Sequence, residues 1–211
     1  MLTYPGGNAR DEAAPGYAPA LNFFSDLGAT RSYGGAVNWI SLGLFGAALA
    51  FVGVALIVLG CGIVRLGHRR RPERWALLPA PVFAGVAGAC FIGIAATPWD
   101  IALTPHMVFV TLGFLAVTLF SVSLLTLQLV QRWSAAFWVP NAACVVVLIT
   151  YEVVMCVYAS TTLPEGLEVQ VIGQKVVVYA STVNLAWQAV GVLKRRPARS
   201  ARRERSAQPD R

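Results

Sequence analysis

Two ionisable side chains lie where the surrounding sequence is almost wholly apolar, and they are the first candidates for chemistry. Glu152 falls within the run 136–160 and Lys175 within the run 169–193. At 1.5 Å of rise per residue, Glu152 is roughly 12 Å and Lys175 roughly 9 Å from the ends of those runs that share one side. A charge at that depth in hydrocarbon costs about 2.5–3.5 kcal/mol on insertion scales. Consecutive antiparallel helices place the two at similar depth, so an ion pair between them is expected, lowering both costs. Three more groups belong to the same side: His106 at the start of another apolar run, Asp100 just before it, and Asp26 in the N-terminal segment. Together they describe a pocket for a small ligand, a lipid headgroup or a proton. If the chemistry is catalytic, His106 is the acid/base and Asp100 or Asp26 orients it. The structural alternative is a helix-pairing ion pair with capping and interface residues.

The last apolar run carries Gln174, Ser181, Asn184 and Gln188. Steps of seven, with Asn184 beside them, put these on one stripe, which must face other helices or water. Interhelical hydrogen bonding and a polar permeation path are the two readings. Asn141 lies three turns from Glu152 and shares its face. Asn38, opening the first apolar run, and Asn184 join Glu152 and Lys175 as candidate ligand-binding or ion-pairing residues. Gly85, Ala89 and Gly93, with Gly46, Ala50 and Gly53, are small residues at steps of three or four, which lets helices approach closely.

Several chemistries lack their residues. There are two histidines, His68 and His106, and the chain's topology puts them on opposite sides, so a zinc site of three or four protein ligands is not expected. No metal or other cofactor is expected. H-E-x-x-H, G-x-S-x-G and a phosphate-binding glycine loop are all absent. Cys61, Cys90, Cys144 and Cys156 lie in apolar runs without metal-site spacing and read as packing residues. Cys61, four residues before Arg65, is also a weak match to a juxtamembrane acylation site.

The elements that position these groups follow from composition. Of 211 residues, 56% are hydrophobic and only 13% charged, about half the charged share of an ordinary soluble domain. The apolar residues form long runs, so the solvent is a bilayer and the fold an all-α polytopic transmembrane bundle. Five spans are predicted, at about 37–64, 75–97, 105–130, 136–160 and 169–193. Trp75, Trp99, Trp133 and Trp138 fall near span ends, where interfacial indoles sit. Residues 1–36 lack a signal-peptide pattern. Within them Leu21, Phe24 and Leu27 share one side of a short helix ended by Gly28, predicted to lie in the membrane interface. Residues 37–193 form the membrane domain and 194–211 a basic tail expected to be disordered.

Orientation follows from arginine. The 65–74 loop, the 131–135 loop and the tail hold 14 of the 17 Lys and Arg, while the opposite side holds Arg10 and Arg31. The positive-inside rule therefore puts the N-terminus out and the C-terminus in the cytoplasm of an inner membrane. The tail beside a span faces anionic lipid rather than nucleic acid. Expected partners are membrane lipids, and a membrane-protein partner or a second copy.

The stretch Tyr17 to Gly28, with Asn22, Ser25, Asp26, Leu27 and Gly28 as its core, and the pair Asp100 and His106 resemble a prokaryotic membrane family, domain of unknown function 998. That family is distantly similar to the eukaryotic Frag, DRAM and Sfk membrane proteins. The resemblance extends from about Tyr4 to about Leu193. It implies about six helices, one of them before the Tyr4-Pro5-Gly6 element, so a sixth N-terminal span ahead of Met1 is expected. The resemblance brings no activity. A non-enzymatic membrane protein that binds a lipid or small ligand, or a protein partner, is the expectation. A lipid-modifying enzyme and a small transporter are the alternatives.

Overall fold

The structure, a computed structural model, describes residues 1–66, 78–158 and 164–195. Most of the predicted 65–74 loop with His68, together with Trp75 and the tail after Arg195, lies outside the described residues. Long Leu-, Val- and Ala-rich segments in hydrocarbon must satisfy every backbone N–H and C=O internally, and the α-helix does so within one segment. Five helices result: α1 (Trp39–Leu66), α2 (Pro79–Ala96), α3 (Leu103–Val130), α4 (Ala135–Tyr158) and α5 (Pro164–Arg195). All five are long and apolar enough to cross a membrane, and the described residues form no strand, only two isolated β-bridges. The predicted all-α class and five spans are the ones observed.

Each helix packs on its sequence neighbours, whereas α1 and α5 meet only sparsely. The tightest crossing joins α1 and α2 at Gly53 and Gly88: a Cβ on Gly53 would lie 2.6 Å from the Gly88 carbonyl oxygen. Gly85, expected at such a crossing, opens onto empty space, and Gly93 instead receives the Phe109 ring. Gly88 lies three residues after Gly85, an offset of about 60° around the helix that spacing alone does not fix. The core runs through Leu56, Ile63, Ala84, Phe120, Leu124 and Leu148, all 1% exposed or less. Phe51, Val146 and Val183 are 64–76% exposed. Apolar side chains are thus as plentiful outside as inside, as a bundle bathed in hydrocarbon requires.

Toward one end, α3, α4 and α5 are joined by a closed ring of four buried amides. Gln128 Nε2 donates to Gln188 Oε1, Gln188 Nε2 to Asn184 Oδ1, Asn184 Nδ2 to Asn141 Oδ1, and Asn141 Nδ2 to Gln128 Oε1. Asn141 and Gln188 also donate to the carbonyls of Ser121 and Phe137. Pro140 lies inside α4 and has no N–H for the carbonyl of Ala136, four residues back. That carbonyl accepts instead from the Trp187 indole of α5 at 2.7 Å. The helix breaker thereby supplies an α4–α5 contact. At the same end Arg195 lies over the Trp133 ring at 4.5 Å.

The other end carries a folded N-terminal cap. The chain reverses at Gly6 and Gly7 (φ 131° and 86°), where only glycine is unstrained, and pairs Gly6 with Pro15. The predicted interfacial helix is only a 3-10 turn, Phe24–Gly28, with Asp26, Leu27 and Gly28 buried. The bundle itself buries part of its apolar side: Phe24 meets Tyr179 of α5 edge-on at 5.6 Å.

Candidate functional site

Lys175 fastens this cap. Its Nζ donates to the Asn22 carbonyl at 2.6 Å, and it lies 5.4 Å from the Tyr17 ring centroid and 5.2 Å from that of Phe24. The Tyr17 hydroxyl donates to the same carbonyl at 2.9 Å. One turn away, Asp26 Oδ2 accepts from Asn22 Nδ2 and from the Phe23 N–H. Burial pushes the Asp26 carboxyl up to about 6, against those two hydrogen bonds and the Lys175 charge, which pull it down. Burial also raises the Tyr17 hydroxyl, and the Asp26 charge adds to the rise.

The ion pair expected between Glu152 and Lys175 is not formed. Glu152 accepts from Thr118 Oγ1 of α3 at 2.7 Å, while Lys175 turns to the cap. Equal depth on neighbouring helices does not set the direction in which a side chain leaves its helix. Among the described residues the ion pair is Arg10–Glu168, at 2.6 Å between half-exposed groups. It too ties the cap to α5.

The remaining candidates are also fasteners. Asp100 accepts from the Thr30 N–H and hydroxyl and from the Arg31 N–H. Burial works to raise its carboxyl, but these hydrogen bonds outweigh it and hold it below the usual value. Asn38, 2% exposed at the start of α1, donates to the carbonyls of Leu27 and Ala29. His106 Nδ1 lies 2.7 Å from the Thr97 carbonyl. A carbonyl only accepts, so Nδ1 carries the proton and Nε2 is left as an acceptor. The acid–histidine dyad required by the enzyme reading is therefore not assembled: Asp26 and Asp100 are engaged elsewhere. Asn184 belongs to the amide ring, and Gln174 Oε1 accepts from the Phe24 N–H. Of the α5 stripe, Asn184 and Gln188 face protein, whereas Gln174 and Ser181 also border open space between α1 and α3. No three His, Cys, Asp or Glu side chains converge as a metal site among the described residues.

Beside the polar cluster opens a pocket that is mostly apolar. A cavity of about 440 Å³ opens where α1 and α5 fail to close, walled also by α3 and roofed by Phe24, Ser25 and Leu27 of the cap. Its lining runs from Ser41 to Val52 on α1, from His106 to Val117 on α3 and from Gln174 to Leu185 on α5. Each stretch advances eleven residues, or about 16 Å. Most lining side chains below the rim are apolar; Tyr179, Ser181 and Thr182 carry hydroxyls, and Thr182 bonds back to its own helix. Sequence reasoning missed this cavity. Its only trace in the sequence is the run of small and apolar residues Ala48, Leu49 and Val52, which reads as ordinary span.

Against known proteins, the chain matches no protein-family model, no curated protein and no solved structure.

Proposed function

We propose that this is a non-enzymatic protein of a bacterial inner membrane that holds the tail of a lipid in the cavity between α1, α3 and α5. The N-terminal cap would lie on the outer face, as the arginine distribution requires. The observation that carries the reading is the cavity's depth. A depth of about 16 Å is half of the roughly 30 Å hydrocarbon core, the length of one leaflet's tails. Ser41, His106 and Gln174 lie at its capped rim, where a headgroup would sit, and apolar residues lie below. The resemblance to the domain of unknown function 998 family belongs to the same proposal. In it, Asn22, Asp26, Asp100 and His106 serve as the residues that hold the roof in place.

A transport path is a weaker reading. The inner half does carry Gln128, Asn141, Asn184 and Gln188, but their amides are spent on one another.

Lipid extracted from protein purified in mild detergent, weighed by mass spectrometry, tests the proposal. Wild type is expected to retain close to one lipid per chain. Ala48→Trp, which fills the middle of the cavity from α1, is expected to retain at least tenfold less at an unchanged thermal midpoint. Equal lipid content in the two proteins would refute the reading.

A further inference from the structure

Resting on the lipid-tail reading, we infer that the cavity's preferred occupant is an uncharged, single-chain amphiphile whose headgroup carries a hydroxyl. Three features lead there. The first is volume. At roughly 30 Å³ per methylene, about the share a water molecule takes in the liquid, 440 Å³ holds on the order of 15 carbons. That is one tail, not the two of a diacyl lipid.

The second is charge. Apart from Met1, the first residue, the lining holds no residue that carries a charge: no Asp, Glu, Lys or Arg. Lys175 is close in sequence to the rim residue Gln174, yet its ammonium is committed to the Asn22 carbonyl and to two aromatic rings. A phosphate or carboxylate drawn into this rim would leave water without a side-chain counter-charge, which is costly. A quaternary ammonium would find no carboxylate.

The third is unspent hydrogen-bonding capacity. Ser41, 3% exposed, makes no side-chain hydrogen bond among the described residues. His106, also 3% exposed, uses Nδ1 on Thr97 and presents Nε2 as an acceptor. Gln174 uses Oε1 on Phe24, leaving its NH₂ as a donor. Besides the Thr3 and Ser25 hydroxyls of the cap, the rim thus offers one acceptor, one donor and one buried hydroxyl that can act as either. All are neutral, and all sit above an apolar shaft. A hydroxyl uses such a set fully, since it donates to the imidazole and accepts from the amide. An ester without a hydroxyl can only accept and leaves His106 unmatched, and an unmatched buried polar group carries a penalty.

The test uses the full chain in nanodiscs and four probes with the same sixteen-carbon tail: monopalmitoylglycerol, methyl palmitate, palmitate and lysophosphatidylcholine. Binding is read by native mass spectrometry and by competition. Monopalmitoylglycerol is expected to bind at least tenfold more tightly than the other three. Ser41→Ala is expected to shrink its advantage over methyl palmitate severalfold without altering methyl palmitate binding. His106→Phe should act in the same direction. If His106→Phe unfolds the rim, Ser41→Ala alone decides. Equal binding of all four probes, or tightest binding of an ionic one, would overturn the headgroup inference and leave the tail reading standing. Binding of none, with wild type and Ala48→Trp alike, would remove the tail reading itself.

Discussion

The bundle carries two polar clusters toward its opposite ends, built on different principles. Near the α5 C-terminus, four neutral amides close a ring in which every member donates and accepts in the same sense. Under the cap, a lysine, an aspartate, two aromatic rings and a backbone carbonyl share the work, and charge is involved. Hydrocarbon tolerates the first arrangement because no net charge is buried and no amide is left over. The second tolerates charge because it lies at the boundary, where folded polypeptide rather than lipid covers it. The ring joins α3, α4 and α5 and has nothing to release. The charged cluster joins a small extramembrane cap to one helix, and a proton can retune it.

Breaking the ring gives the largest expected effect. Asn141→Leu removes one donor and one acceptor, stranding Gln128 Oε1 and Asn184 Nδ2 in a dry interface. Each stranded group costs about 1–3 kcal/mol, and single hydrogen bonds in membranes tend to the low side of such ranges. A destabilisation of about 3 kcal/mol is expected, read as reversible unfolding in bicelles. Hydrogen exchange within residues 1–36 should not change. An unmoved unfolding free energy would show the ring to be passive.

Lys175→Met is expected to do the opposite at smaller scale. The Asn22 carbonyl keeps the Tyr17 hydroxyl, so it is not stranded, and the apolar stem survives. What is lost is a charge-assisted hydrogen bond of about 1.5 kcal/mol or somewhat more and the cation over two rings. Exchange and limited proteolysis of the cap should accelerate about tenfold while the unfolding of the helices is unaffected. If the helices are destabilised as well, the two clusters are not separable.

These contrasts also mark what was legible beforehand. Five spans were readable because hydrocarbon imposes one demand on every backbone group, and long apolar runs answer it in one way. The Gln174–Gln188 stripe was readable because seven-residue spacing fixes a helix face whatever that face meets. The destinations of individual side chains were not. Lys175 and Glu152 stand at similar depths, yet one reaches out to a carbonyl at residue 22 and the other to a hydroxyl at residue 118. Nothing in local spacing encodes contacts so distant in sequence. The packing of the cap on the bundle was not legible for a related reason. Leu21, Phe24 and Leu27 announce an apolar side, but a membrane interface and a tyrosine-lined helix end satisfy that side equally well. The cavity left only a trace that reads as ordinary span, because an empty space is a property of several helices together.

The smallest expected effect is also the one that separates the clusters most cleanly, since only one of them titrates near neutrality. Asp26 has its carboxyl at about 6 in the folded cap against an ordinary 3.8. Because the folded value is the higher, the docked cap binds more protons than the released one between those limits, and its stability falls as pH rises through that window. Between pH 5 and pH 7.5 the difference amounts to about one pH unit of linkage, or about 1.4 kcal/mol. Cap protection, corrected for intrinsic exchange, should therefore be about tenfold greater at pH 5. Tyr4, Tyr17 and Tyr33 surround the carboxyl and stay neutral throughout, so they do not contribute. Asp26→Asn keeps an oxygen to accept from Asn22 and Phe23 and has nothing to titrate. Its profile is expected to be flat over that range, while the amide ring's stability is flat in both proteins. A slope that survives in Asp26→Asn would move the proton-sensitive group elsewhere and end the assignment of the cap's tunability to this carboxyl.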